Sequence, residues 1–143
     1  GLGCDGLESD RIGISELVVR FEQYFDESEA IVADCCHAFS TNDYDTLGKL
    51  VDQSHEFTVN KLKNTIPETA WLPRWARSSG GALASSAFGA GFGGSCWSLV
   101  TSDTAEDFCK QWRDAYEQEF PTKEGGLTRE FFIMAPGPGA FSL

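Results

Sequence analysis

The residues best placed to do chemistry lie between Ser85 and Trp97, in the run "SSAFGAGFGGSCW". Gly89-Ala90-Gly91-Phe92-Gly93-Gly94 satisfies G-x-G-x-x-G, a spacing that can bring backbone N–H groups against phosphate oxygens with no side chain in the way. Three devices use such a string. The dinucleotide fingerprint needs a helix that opens on the glycines. Here Ser95-Cys96-Trp97-Ser98-Leu99-Val100 follows, alternating as a strand does. The protein-kinase loop does sit between two strands, but it wants Val where Cys96 stands, and no V-A-I-K, H-R-D or D-F-G comes after it. A Walker A loop needs a lysine after its glycines, and Gly94 is followed by Ser95. Two readings of the spacing remain. One is a tight hairpin whose glycines accept positive φ. The other is a backbone that a ligand or another segment approaches closely, which suits so many small residues in succession.

Other reactive types are scattered. Cys4, Cys35, Cys36, Cys96 and Cys109 are odd in number and fit no disulfide framework. Cys35-Cys36-His37 is a poor chelate, because adjacent residues on a helix point about 100° apart. Buried thiols in a reducing compartment are the simpler reading. His37 and His55 fall on helical patterns, where a satisfied or exposed imidazole outweighs a catalytic one. Trp71, Trp75, Trp97 and Trp112 read as core anchors, although Trp71 and Trp75, four apart, could line an interface. Arg74 and Arg77 could reach a phosphate; solvation is their default. No metal ligand set and no catalytic group of this chain's own emerges.

The elements that must position the loop follow from periodicity. Apolar residues at Ile14, Leu17, Val18, Phe21, Tyr24, Phe25, Ile31, Val32, Cys35, Ala38 and Phe39 form one helical stripe. Gly13 or Ser15 starts it, and Ser40-Thr41-Asn42-Asp43 stops it and caps the next helix. That second helix turns Leu47, Leu50, Val51, Ser54 and Thr58 inward, with Gly48 marking close packing. A third helix begins at Thr65 as cap with Pro67 in its first turn, and ends at Gly80-Gly81. Pro73 should kink or split it. "ALASSAFG" and "SCWSLVT" are strands on either side of the glycines. Asp103 or Thr104 caps the clearest helix, whose buried stripe is Ala105, Phe108, Cys109, Trp112, Ala115, Tyr116 and Phe120. "PTKEGGLT" is a loop, and "REFFIMAPGPGAFSL" is a last strand running into a Pro-Gly tail. The order is α+β: helices packed on one face of a small antiparallel sheet, most of a ferredoxin-like half.

With 143 residues, 41% of them hydrophobic, the chain is long enough for one domain with a core. Its net charge of −11 argues against nucleic acid or an anionic membrane as partner. No apolar run approaches the about 20 residues a membrane span needs. The opening "GLGCDGLESD" lacks the basic start of a signal peptide, so a cytoplasmic location is expected.

On these residues the chain resembles the GHMP kinases, specifically their galactokinase-like branch. "GAGFGGS-W-LV" is similar to that branch's third motif, written "GARMTGAGFGGC". Leu47-Gly48-Lys49-Leu50-Val51-Asp52-Gln53-Ser54-His55 echoes its "FGELM–SH", and Pro67-Glu68 its "PELD" segment. The likeness extends over most of residues 14–134, and the loop is its specific part. Ser86 and Phe88 stand where the branch has a basic residue and a threonine, Ser95 where it has cysteine, and Ala70 where "PELD" ends. The resemblance therefore names a sugar kinase and not galactose as its sugar.

The resemblance implies a single C-terminal domain over residues 1–143, with about the first 13 expected to be flexible. It implies a glycine loop, Gly89, Ala90, Gly91, Phe92, Gly93, Gly94 and Ser95, on the phosphate side of an ATP and monosaccharide site, with Mg²⁺ accompanying ATP. The family's sugar-recognition motif, its Pro-x-x-x-Gly-Leu-Ser-Ser-Ser motif and its catalytic Asp and Arg are not in this sequence. They belong to an N-terminal kinase domain, the expected partner, and the chain alone would be catalytically incomplete. A binding or regulatory module that kept the fold is the other reading. Either way an apolar patch at the loop, or self-association through the exposed domain face, is expected.

Overall fold

The computed structural model describes residues 13–121, 129–135 and 137. Cys4 and the rest of the expected flexible lead through Ile12, most of the "PTKEGGLT" loop and most of the Pro-Gly tail lie outside the described residues. The chain divides into two compact units, one ending at Asn64 and one beginning at Thr65.

The first unit is helical. Helix α1, Ile14–Asp26, starts where Gly13 leaves extended backbone and its carbonyl accepts the amides of Glu16 and Leu17. A single π turn, Glu27–Ile31, carries it into α2, Val32–Ser40. Asn42, at φ +57, ends the run, and Asp43 Oδ1 caps α3, Tyr44–Phe57, by accepting the Thr46 amide at 3.0 Å. A second π turn, Thr58–Leu62, closes the unit.

The long apolar stripe forms its helix but does not bury as expected. Gln23, Ile31 and Ala38 are the buried residues of this stretch, whereas Ile14, Leu17, Val18, Phe21 and Phe25 are about half exposed or more. In an uninterrupted α-helix Gln23 and Ile31 would point about 80° apart. The wider π turn between them takes up that offset. At about 100° per residue, Gln23 lies nearly opposite the Ile14–Leu17–Val18–Phe21–Phe25 face. Its side-chain amide donates to the Glu27 carboxylate, which also accepts the Ser54 hydroxyl of α3 at 2.5 Å. The unit's own helices thus hold the polar side of α1 and leave its apolar side outward.

The second unit is the α+β part. Helix α4, Pro67–Ser78, packs across strands β1, Ala84–Phe88, and β2, Ser95–Leu99, and meets α5, Ala105–Glu119. The strands pair antiparallel, with Ala84 opposite Leu99 and Phe88 opposite Ser95. Ala76, Ala82, Phe108 and Trp112 form the core, with Leu72, Trp75, Cys96, Val100 and Phe131 packed on it. The expected α5 stripe is as read: Phe108, Trp112 and Tyr116 are buried, and Ala105, Cys109, Ala115 and Phe120 are half-buried.

Four local expectations are corrected. Pro73 does not split α4, which runs unbroken through it, and its side chain is fully buried. The cap of α4 is Ile66 rather than Thr65; its amide donates to Thr69 Oγ1 at 3.2 Å. Thr104 stands at the α5 cap position, but its hydroxyl donates back to the Thr101 carbonyl at 3.2 Å instead of capping. Residues 129–135 join no ladder, and among the described residues the sheet has two strands. This segment is drawn to α5 instead: Phe131 packs on Trp112 and Tyr116, and the Arg129 guanidinium sits 4.7 Å over the Tyr116 ring. No described helix is long and apolar enough to cross a membrane.

Candidate functional site

Residues 89–94 connect β1 to β2 across a hairpin whose flanking residues are unusually small. Ser85 is fully buried and satisfied: its hydroxyl lies 2.7 Å from the Trp97 carbonyl and 2.8 Å from Ser98 Oγ. Together with Ala84, also fully buried, it lets α4 lie close on the sheet. The buried end of the hairpin thus lies away from the loop, whose base is the exposed pair Phe88 and Ser95.

The loop backbone is left-handed at five positions: Gly89 (φ +101), Gly91 (+91), Phe92 (+57), Gly93 (+124) and Gly94 (+93). Glycine adopts these angles without steric cost. Phenylalanine does not, and holding it there costs roughly 1–2 kcal/mol. Packing by the described residues does not demand a glycine at positions 89, 93 or 94. A Cβ built on Gly89 meets nothing within 4 Å, and one on Gly93 or Gly94 makes ordinary contact with Ile66 or the Phe88 carbonyl. Conformation therefore requires the glycines at these positions, and the space beside Gly89 is open.

The chosen site residues fall together on this one loop. Gly89, Ala90, Gly94 and Ser95 are exposed, Gly91 and Gly93 are half-covered, and Ser95 opens β2 opposite Phe88. Phe88 is 57% and Phe92 75% exposed. Apolar surface is thus present at the loop, and a longer apolar face lies on α1.

The other candidates have structural surroundings. Arg77 does not reach toward the loop; its Nη1 donates to the carbonyls of Ala82 at 2.7 Å and Leu83 at 2.9 Å, tying the end of α4 to the start of β1. Arg74 is exposed on α4. Trp71 stacks on Trp75 and packs against Tyr116 and Phe120, so this pair belongs to the unit's aromatic packing. Trp112 is buried and donates from Nε1 to the Leu72 carbonyl at 3.1 Å, while Trp97 is partly exposed. His37 is exposed and His55 buried. Cys35, Cys36, Cys96 and Cys109 are free thiols. Among the described residues no three His, Cys, Asp or Glu side chains gather as a metal site.

Two features escaped the sequence. One is the Gln23–Glu27–Ser54 cluster, in which the Glu27 carboxylate accepts from Gln23 four residues back and from Ser54 of α3. The other involves Cys96, whose thiol approaches the Thr69 carbonyl at 3.9 Å. Burial pushes the Cys96 thiol up to about 12, so it stays protonated and can donate. Proline at position 73 supplies no amide to that carbonyl, and a Cys opposite a helical proline was the available signal.

Comparison with known proteins places this geometry. The family described as GHMP kinases C terminal matches residues 31–118. The chain is 32% identical over 107 residues to the galactokinase of Bacillus subtilis, covering 75% of this chain and 26% of that protein. It is 28% identical over 136 residues to the galactokinase of Haemophilus influenzae Rd, covering 92% of this chain and 33% of that protein. The galactokinase of Clostridium perfringens SM101 is 28% identical over 141 residues, covering 94% and 33% respectively. The chain therefore spans about a quarter to a third of the length of the curated relatives it matches. With its α4–hairpin–α5 unit and its glycine loop inside the matched region, the chain belongs to the GHMP kinase family, as a C-terminal domain of the galactokinase-like kind.

Proposed function

We propose that this chain is the C-terminal part of an ATP-dependent sugar kinase, and that Gly89, Ala90, Gly91, Phe92, Gly93, Gly94 and Ser95 form the phosphate-side wall of its site. The observation that carries this reading is the run of left-handed loop residues with open space beside Gly89. Such a backbone can offer N–H groups to phosphate oxygens at close range. The residues present suit a phosphate group, since a Cβ at Gly89 would occupy space that no described residue fills within 4 Å.

Bound ATP supplies the phosphoryl group that a sugar hydroxyl accepts. The chain's own contribution is to bind and orient: phosphoryl transfer rests on positioning and on stabilising charge spread over the phosphoryl oxygens. The loop amides would share that charge, and Ser95, exposed at its rim, would add a hydroxyl donor. Mg²⁺ would arrive with ATP, its ligands coming from outside this chain. The residues that take the hydroxyl proton belong to the N-terminal domain of the same protein. The outward apolar face of α1 is available for that domain to cover. Without it the chain is catalytically incomplete. The net charge of −11 fits an enzyme acting on small molecules better than one acting on nucleic acid.

The test is ATP-dependent phosphorylation of a monosaccharide panel, including galactose, arabinose and galacturonate, by the full-length protein that contains this chain. Turnover of one sugar is expected. No turnover on any sugar would overturn the kinase reading.

A further inference from the structure

Phe92 is the residue of the loop that neither fold nor packing explains. It holds a left-handed backbone, φ +57, that disfavours a phenylalanine. It is 75% exposed, so its ring is not repaid by burial within the chain. Its neighbours Gly91, Gly93 and Gly94 already supply whatever turning the hairpin needs, and glycine at position 92 would serve the backbone better. Phe88, 57% exposed at the end of β1, sets a second ring beside the same loop. Backbone held in a costly conformation at an exposed apolar ring, on the loop proposed to face the phosphate, suggests a task at the ligand.

We propose that Phe92 is a specificity-determining residue that keeps water away from the transferring phosphoryl group; this rests on the kinase reading above. In the productive step a sugar hydroxyl oxygen bonds to the γ-phosphorus, the bond from that phosphorus to the ADP oxygen breaks, and the hydroxyl proton leaves to a base. If water takes the hydroxyl's place, the same P–O bond breaks, water's oxygen bonds to phosphorus, its proton passes to solvent, and the products are ADP and inorganic phosphate. The loop's amide charge assists both nucleophiles equally. Excluding bulk water is what discriminates between them, and an apolar ring that covers the phosphoryl group does so without competing for its oxygens.

The experiment uses the full-length protein and measures ADP and sugar phosphate together, with and without sugar. Wild type is expected to form about one ADP per sugar phosphate. Phe92→Ala is expected to raise the ADP-to-sugar-phosphate ratio several-fold, while Phe92→Leu, still apolar, stays near wild type. A thermal melt accompanies each variant. A purely structural Phe92 would leave the ratio unmoved whatever the melt shows, and an unchanged ratio in folded Phe92→Ala overturns the proposal while leaving the kinase reading intact. A wild type that phosphorylates no sugar overturns both.

Discussion

The thiol of Cys96, on β2, points at the carbonyl of Thr69, on α4, at 3.9 Å. In an unbroken helix that oxygen takes the amide four residues on, which here is Pro73. The sheet thereby serves the acceptor that the proline leaves over, and a proline that ought to break α4 is tolerated within it. Cys96→Ala is expected to destabilise by about 1–2 kcal/mol, through the lost donor and the lost sulfur packing. In a Pro73→Ala background, where an amide returns, the same change should cost less. Urea unfolding of the four-member cycle gives the coupling; a value within about 0.3 kcal/mol of zero means the two residues act independently.

The same thiol carries a pH dependence. Its folded value, about 12, lies above the 9.0 it has when unperturbed. Between those values the folded chain keeps the proton and the unfolded chain releases it, so stability falls as pH rises. The contribution is whole below pH 9 and is lost toward pH 12. Cys96→Ala should flatten this alkaline loss relative to wild type when unfolding is measured from pH 8 to 11.

Gly80 packs where no side chain fits. A Cβ there would come within 2.7 Å of Phe108 and 2.8 Å of Trp75, two rings of the core. Gly80→Ala is expected to cost about 1–3 kcal/mol by overpacking. Gly81, at φ +75 but with nothing within 4 Å of an added Cβ, isolates the conformational part of the effect: Gly81→Ala should cost less. Equal losses in chemical denaturation would show that the rings give way freely.

Arg77 is a structural clamp. Its guanidinium bonds two successive carbonyls, Ala82 and Leu83, which precede β1. Both bonds come from Nη1, so Arg77→Lys, whose ammonium lacks that nitrogen's fixed planar pair of N–H groups, should lose about 1 kcal/mol, and Arg77→Ala more. Amide hydrogen exchange at Ala84 and Ser85 should accelerate in both variants. Unchanged protection there would assign the arginine to another role.

On the proposed kinase function, Gly91→Ala and Gly93→Ala in the full-length protein are expected to lower sugar phosphorylation by about tenfold or more. Each places a Cβ on a left-handed backbone position of the loop. Gly137, with open space around it outside the loop, is the control. Wild-type rates in the loop variants would remove the loop from the site.

Much of this was legible in the residues themselves. The α5 stripe of Phe108, Trp112 and Tyr116 could be read because one helix face meets one core. The hairpin could be read because glycines separate a run of small residues from one, Ser95 to Thr101, that alternates as a strand does. The burial of α1 could not. Periodicity says which residues share a face, and Phe21 and Phe25 do share one, but it does not say which neighbour is present to cover them. The π turn at Glu27–Ile31 has no composition signal, so the offset between Gln23 and Ile31 that it takes up could not be read. Segment 129–135 looks like a strand by its residue types, but the rings of Trp112 and Tyr116 claim Phe131 before any ladder does. At the glycine loop the spacing narrowed the chemistry and a family likeness chose among what remained.

The outward face of α1 also sets how this chain behaves in solution. Its Ile14, Leu17, Phe21 and Phe25 are sticky toward any similar surface, yet each copy carries a net charge of −11. Colloidal repulsion between like-charged copies works over about 10 Å at 0.1 M salt and about 3 Å at 1 M. Ionic strength is therefore the control knob: light scattering from the isolated chain should climb as salt is raised, and Phe21→Glu should blunt the climb. The net charge that argues against nucleic acid as a partner becomes, beside that helix, what holds the apolar faces of separate copies apart.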